Sequence, residues 1–81
     1  MTTEEIARLI RAGLPDAQVE VVDQVGDSNH FQAVVITPSF QGRRLVERHQ
    51  MVYRSLQGAM ADRIHALSIK AYTPEEWVEV Q

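Results

Sequence analysis

Three histidines, His30, His49 and His65, and four serines, Ser28, Ser39, Ser55 and Ser68, are the side chains of this chain best suited to act as bases and nucleophiles. A serine nucleophile needs a base in hydrogen-bond reach and a sharp turn that exposes its Oγ, and none of the four lies in a G-x-S-x-G pattern. H-E-x-x-H, P-loop and G-x-G-x-x-G patterns are absent as well. There is no cysteine, which excludes disulfides, thiolate zinc sites, cysteine nucleophiles and the usual all-thiolate iron–sulfur site within this chain. With 81 residues there is also little room for a substrate-enclosing cleft. The residue inventory predicts a protein that is not an enzyme.

Each histidine has a bland reading beside a chemical one. His49 falls four after Leu45 and three before Val52, on the apolar stripe of a helical pattern, where a hydrogen-bonded imidazole at a helix–sheet boundary is the ordinary outcome. His65 opens a strand pattern and shares the parity of Leu67 and Ile69. It can be structural, or it can present a ring nitrogen to a metal at the rim of the sheet. His30 stands where a loop enters a strand, an ordinary place for a polar residue. The two strand-start histidines could meet if those strand ends are adjacent, but two imidazoles do not complete a four-coordinate site, so a stable metal site would need ligands from elsewhere.

Charge offers a second chemistry. The net charge of −3 is unevenly spread. Residues 1–30 hold six acids against Arg8 and Arg11, and residues 43–70 hold six bases, Arg43, Arg44, Arg48, Arg54, Arg63 and Lys70, against Glu47 and Asp62. The tail adds Glu75, Glu76 and Glu79. The basic middle suits phosphate contacts, although a sequence-independent nucleic-acid binder is usually basic overall and a solvated charged face is the commoner outcome.

The elements that must position these residues follow from periodicity. With 44% hydrophobic and 23% charged residues the composition is that of an ordinary globular domain, and the length fits one domain over residues 1–81. Thr2 and Glu5 have capping-box spacing, Ile6, Leu9 and Ile10 form a helical stripe, and Gly13 and Pro15 end it. Val19, Val21 and Val22 mark a strand over Gln18–Asp23, turn residues follow, and Phe31–Thr37 is the antiparallel second strand, with Phe31, Ala33 and Val35 on one face. Arg43 to about Asp62 is the longest helical pattern, its apolar stripe running through Leu45, Val52, Leu56 and Ala59 and broadened by Val46, Tyr53 and Met60. Arg43, Glu47, Gln50 and Arg54 line the opposite face, with Arg43 and Glu47 spaced to pair, and Gly58 is the point where this helix breaks or bends. His65–Tyr72 is a third strand, and Thr73-Pro74-Glu75-Glu76 caps a last helix that Trp77 folds back on the sheet. The order is α-β-β-α-β-α. No apolar run is long enough to span a bilayer, and residues 1–30 lack a basic start followed by an apolar centre, so a cytoplasmic protein is expected.

Ser39-Phe40-Gln41-Gly42 through Arg48-His49-Gln50-Met51-Val52-Tyr53 resembles the BolA-family signature F-x-G-x5-R-H-x2-V-Y. His30–Val35 is similar to that family's second strand, Arg63–Lys70 to its third, and Thr73–Trp77 to its closing helix. The likeness covers nearly the whole chain, and Lys70–Pro74 with the short loop is most similar to the bacterial or cyanobacterial YrbA/IbaG-type branch. The resemblance implies an α+β, class II KH-like fold, α-β-β-α-α-β-α, with a three-stranded sheet packed against helices.

It also implies a partner. Proteins of this family bind monothiol glutaredoxins and share a [2Fe–2S] cluster with them, in iron–sulfur trafficking or in iron and redox regulation. The histidine of the family's I-H-A segment is a ligand, here His65; the second is a Cys or His of the loop between the first two strands, where this chain offers His30, with Asp27 as a remote substitute. Two histidines on one iron and two thiolates on the other is the Rieske arrangement, so the implied half-site supplies nitrogen while the glutaredoxin cysteine and glutathione supply sulfur. Imidazoles titrate near neutral pH, so such a shared cluster would loosen on acidification. Some relatives are described as DNA-binding regulators; that alternative uses the helix-turn-helix-like segment 43–54, with Arg43, Arg44, Arg48, Arg54 and Lys70 at phosphates, although Gly42-Arg43-Arg44-Leu45 is not the G-x-x-G loop of nucleic-acid-binding KH domains. Whether the free protein forms a homodimer is left open by the sequence.

Overall fold

A computed structural model describes residues 2–26, 30–59 and 66–81. Three helices and three strands follow one another as α1 (Thr3–Gly13), β1 (Gln18–Asp23), β2 (Phe31–Ile36), α2 (Leu45–Ser55), β3 (Leu67–Tyr72) and α3 (Pro74–Val80), with a single 3-10 turn at Pro38–Phe40. The sheet order is β1-β2-β3; β1 pairs antiparallel with β2, and β2 pairs parallel with β3, Phe31 facing Leu67 and Ile36 facing Tyr72. This mixed sheet with helices is the expected α+β architecture. Of the stretch between α2 and β3, to which the additional implied helix belongs, residues 60–65 lie outside the described part of the chain.

The core is the layer between one sheet face and α1 and α2. Phe31, Ala33 and Val35 of β2 and Leu67, Ile69 and Ala71 of β3 present one parity to it, as the alternation requires. Ile6 and Ile10 of α1, Val52 of α2, Leu56 and Phe40 close it from the other side. Full burial of one such side chain contributes about 1.5–3 kcal/mol, so this layer carries the stability of the fold. The two helices approach closely at Gly13, where a Cβ would stand 2.5 Å from the Ser55 Cβ and 2.8 Å from its Cα. On the opposite sheet face, Trp77 packs obliquely on Tyr72, ring centroids 5.3 Å apart, and shares a groove with Gln18, Val34 and Ile36.

Local chemistry sets the helix ends. Thr2 Oγ1 accepts from the Glu5 N–H while Glu5 accepts from the Thr2 N–H, and the same reciprocal box, Thr73 with Glu76, starts α3 behind Pro74. Thr37 ends β2 rather than extending it: its N–H donates to the Tyr72 carbonyl, and its Oγ1 accepts from the Ser39 N–H to cap the 3-10 turn.

The signature helix departs from the sequence expectation in three ways. It stops at Ser55 rather than running on toward Asp62, because Leu56 and Gln57 close on i−3 carbonyls and Gln57 and Gly58 adopt left-handed φ of 53° and 77°; residues 60–62 lie outside the described part. Its inner face is Arg48, Val52, Ser55 and Leu56, whereas Leu45 and Val46 are 65% and 54% exposed at its start. The ion pair to Glu47 comes from Arg44, 3.5 Å away, not from Arg43. Among the described residues, no helix is long and apolar enough to cross a membrane.

Candidate functional site

Two regions hold the residues singled out in the sequence. The first is the end of the sheet where β2 and β3 begin. Because these strands are parallel neighbours with Phe31 opposite Leu67, their starts lie side by side. His30 immediately precedes Phe31; it is exposed, and its carbonyl accepts from the Gln24 N–H at 2.8 Å, which fixes the backbone at the loop's end. His65 stands two residues before Leu67 in the chain; it and Asp27, the remote substitute ligand, lie outside the described residues. Among the described residues no three His, Asp or Glu side chains converge on a common point.

The second region is α2 and the turn that leads into it. Phe40 is fully buried beneath the turn, and Gly42 takes φ +74°, the left-handed conformation that glycine adopts without penalty. Arg44 precedes the helix; its N–H donates to Glu47 Oε1 at 2.9 Å, and this bond, then the Arg44 charge, holds the Glu47 carboxyl below its usual range. Arg43 and Arg54 line one shallow groove with Glu47, Gln50 and Met51. Lys70 lies elsewhere, on a groove between α2 and β3 with Leu45, His49 and Tyr72. His49 is half-buried there, at the helix–sheet boundary anticipated for it.

Arg48 does not belong with the basic surface. It is 7% exposed, and its Nε donates to the Arg43 carbonyl at 3.0 Å. Its Nη1 reaches the Ala71 carbonyl at 3.2 Å and Glu76 Oε1 at 2.6 Å, while Nη2 reaches Glu76 Oε2 at 3.2 Å. The guanidinium also lies 5.7 Å from the centre of the Phe40 ring. A planar fork with fixed donors suits this bidentate task, and every donor direction described is directed inward. Arg48 is therefore removed from the phosphate-binding set and assigned to the fold. The Arg48 hydrogen bonds, then the Thr73 N–H, pull the Glu76 carboxyl down to about 2.

Sequence reasoning did not find the partners of this clamp, Glu76 and two carbonyls, although Arg48 falls at inward spacing with Val52 and Ser55. It also missed Asp16, which accepts from Thr37 Oγ1 at 2.8 Å and from Ser39 Oγ at 2.9 Å; those two hydroxyls hold its carboxyl below the usual range. That contact joins the α1–β1 connection to the turn before α2 across more than twenty residues of chain, and no local pattern signals it.

Comparison with known proteins places this architecture. The family model for BolA-like proteins matches residues 11–76. The chain is 42% identical to the acid stress protein IbaG of Escherichia coli K12, over 95% of this chain and 89% of that one. It is 33% identical to the DNA-binding transcriptional regulator BolA of the same organism, over 100% and 84%. Among solved structures, a BolA protein homologue from Coxiella burnetii superposes with a TM-score of 0.82 at 42% identity, covering 96% of this chain and 97% of that one. The signature around Phe40, Gly42, Arg48 and His49, the mixed sheet and these likenesses agree: the chain belongs to the BolA family.

Proposed function

We propose that this protein is a non-enzymatic adaptor that binds a monothiol glutaredoxin and shares a [2Fe–2S] cluster with it, serving iron–sulfur trafficking or iron and redox regulation. The observation that carries this reading is the parallel pairing of β2 and β3, which brings the chain segments beginning just after His30 and just after His65 to one end of the sheet. His65 and His30 would supply nitrogen, and the partner's cysteine with glutathione would supply sulfur, giving the mixed ligation of a Rieske-type centre. A chain without cysteine cannot hold such a cluster alone in the usual way, so a sulfur-bearing partner is part of the reading. The test is anaerobic reconstitution with a monothiol glutaredoxin and glutathione, followed by visible circular dichroism and size exclusion. A mixed complex with a spectrum distinct from that of the glutaredoxin homodimer, lost in His65→Ala and altered in His30→Ala, is expected. An unchanged homodimer spectrum without co-elution refutes it.

A second reading, DNA binding, is favoured by the Arg43–Arg54 groove and by the name of the BolA relative from E. coli. With Arg48 buried, it rests on Arg43, Arg44, Arg54 and Lys70. Its signature is salt dependence, each phosphate contact adding about 0.9 to the log–log slope of affinity against salt.

A further inference from the structure

The groove between α2 and β3 holds donors that the fold does not use. Leu45 and His49 of α2 line it with Ile69, Lys70, Ala71 and Tyr72 of β3, around a volume of ≈ 280 Å³. The sequence predicts a hydrogen-bonded imidazole at His49, and here the structure departs from it. Among the described residues, neither the His49 ring nor the Lys70 ammonium makes a hydrogen bond or an ion pair, and no buried side-chain nitrogen or oxygen lacks a partner. Both ring nitrogens of this half-buried side chain are therefore open to water rather than sealed in the core. No acid lines the groove. Glu47, the acid of α2, is held by Arg44, and Glu76 of α3 by Arg48, so neither neutralises Lys70. Leu45 is the first residue of α2, and the free N–H groups of a helix start add positive potential there. The rest of the lining is apolar, with Leu45 itself 65% exposed.

We propose that this groove binds a carboxylate carried on an apolar body about the size of one aliphatic side chain. The carboxylate lies between the Lys70 ammonium and a His49 N–H, and the apolar body lies against Leu45 and the Ile69–Ala71 stretch. An imidazole offers an N–H in either protonation state, so His49 is a donor whether or not it is charged. A carboxylate presents two oxygens to these two donors, whereas a phosphate would leave further oxygens against apolar lining. The volume is at the small end for a ligand site and suits a residue-sized body. A free acid and the carboxy-terminal residue of a polypeptide present this same chemistry. The site uses neither His30 nor His65 and stands whether or not a cluster is shared with a partner.

Heteronuclear NMR titration of the full chain with N-acetyl-leucine tests this. The expected result is saturable shifts centred on the amides of Leu45, His49, Lys70 and Tyr72, with a dissociation constant on the order of millimolar. N-acetyl-leucinamide, which lacks the charge, and inorganic phosphate, which lacks the apolar body, are each expected to bind about tenfold more weakly. Lys70→Gln changes an exposed side chain and is expected to weaken N-acetyl-leucine by about threefold or more. His49→Phe removes both ring nitrogens, keeps an aromatic ring and, folded by circular dichroism, is expected to do the same. A short peptide ending in leucine separates the sources. Binding about tenfold tighter than N-acetyl-leucine assigns the ligand to a chain end, and equal affinity assigns it to a free acid. The proposal is overturned by a titration that shows no saturation at about 50 mM, by equal affinity for the amide or for phosphate, or by indifference to Lys70→Gln.

Discussion

Replacing Arg48 by leucine removes the guanidinium and keeps most of the apolar stem, so the cost can be worked from the contacts it made. The Ala71 carbonyl belongs to a residue 5% exposed, so water does not readily replace the lost donor, and an unsatisfied buried acceptor costs about 1–3 kcal/mol. The Arg43 carbonyl is on an exposed residue and rehydrates, adding about 0.5 kcal/mol. Loss of the cation over Phe40 adds about 0.5–1 kcal/mol. The half-exposed Glu76 carboxylate is left out of the sum, because water takes the place of its partner. The total is about 2–4.5 kcal/mol, against a stability of roughly 4–12 kcal/mol for a domain of this size. With a urea m-value of about 1 kcal/mol/M, the unfolding midpoint should fall by about 2–4.5 M. Arg48→Lys keeps the charge but cannot span two carbonyls and two carboxylate oxygens from one ammonium, and is expected to cost about 1–2 kcal/mol. Urea unfolding followed by circular dichroism reads both. If Arg48→Lys unfolds with the wild-type midpoint, while Arg48→Leu leaves stability unchanged and reduces the salt slope of DNA binding by about one, the clamp is refuted and Arg48 is a phosphate contact.

Other outcomes follow from neighbouring contacts. Gly13→Ala drives a methyl into Ser55 and forces α1 and α2 apart; thermal unfolding should show a loss of about 1–3 kcal/mol, and an unchanged or raised midpoint would contradict the close approach. Thr37→Val preserves shape but deprives Asp16 of a donor and the Ser39 N–H of an acceptor, so a loss of about 1–2 kcal/mol is expected in urea. The Glu76 carboxyl lies near 2 in the fold against 4.5 when free of its partners, so its contribution is fully present above the unfolded value and is lost as pH falls from there through about 2. Glu76→Gln should therefore flatten the acid limb of the Tm–pH profile; an unaltered limb would assign acid unfolding to other carboxyls.

Period and capping chemistry made most of the fold legible in the sequence. Val19 with Val21 and Phe31 with Ala33 and Val35 alternate cleanly, and both threonine caps carry their partner glutamate three residues on. The stripe of α2 is harder to read, because hydrophobicity alone does not mark burial there. Leu45 and Val46 are apolar yet lie at the exposed start of the helix, while a charged residue occupies an inward position because Glu76 and two carbonyls meet it there. Such compensation is set by residues distant in the chain, and so is the Asp16 contact to Thr37 and Ser39. The candidate site is legible as residue types, His30 and His65 each preceding a strand pattern, but that the strands β2 and β3 begin at one end of the sheet depends on β3 lying parallel beside β2. The phosphate-binding set is overdrawn for the same reason: Arg48 is close to Arg43 and Arg54 in sequence but turns its guanidinium inward, and Lys70 lies on a different groove.

Glu76 caps α3, accepts from the Thr73 N–H and grips Arg48, and the strand that supplies the other buried acceptor of Arg48 immediately precedes it. During synthesis, then, the signature helix emerges long before the groups that neutralise and seat its arginine. β2, the central strand, likewise waits for β3 to cover one of its sides. On the ribosome this chain should remain without its native core until β3 and the start of α3 have cleared the exit tunnel, so that folding does not advance progressively from the amino terminus.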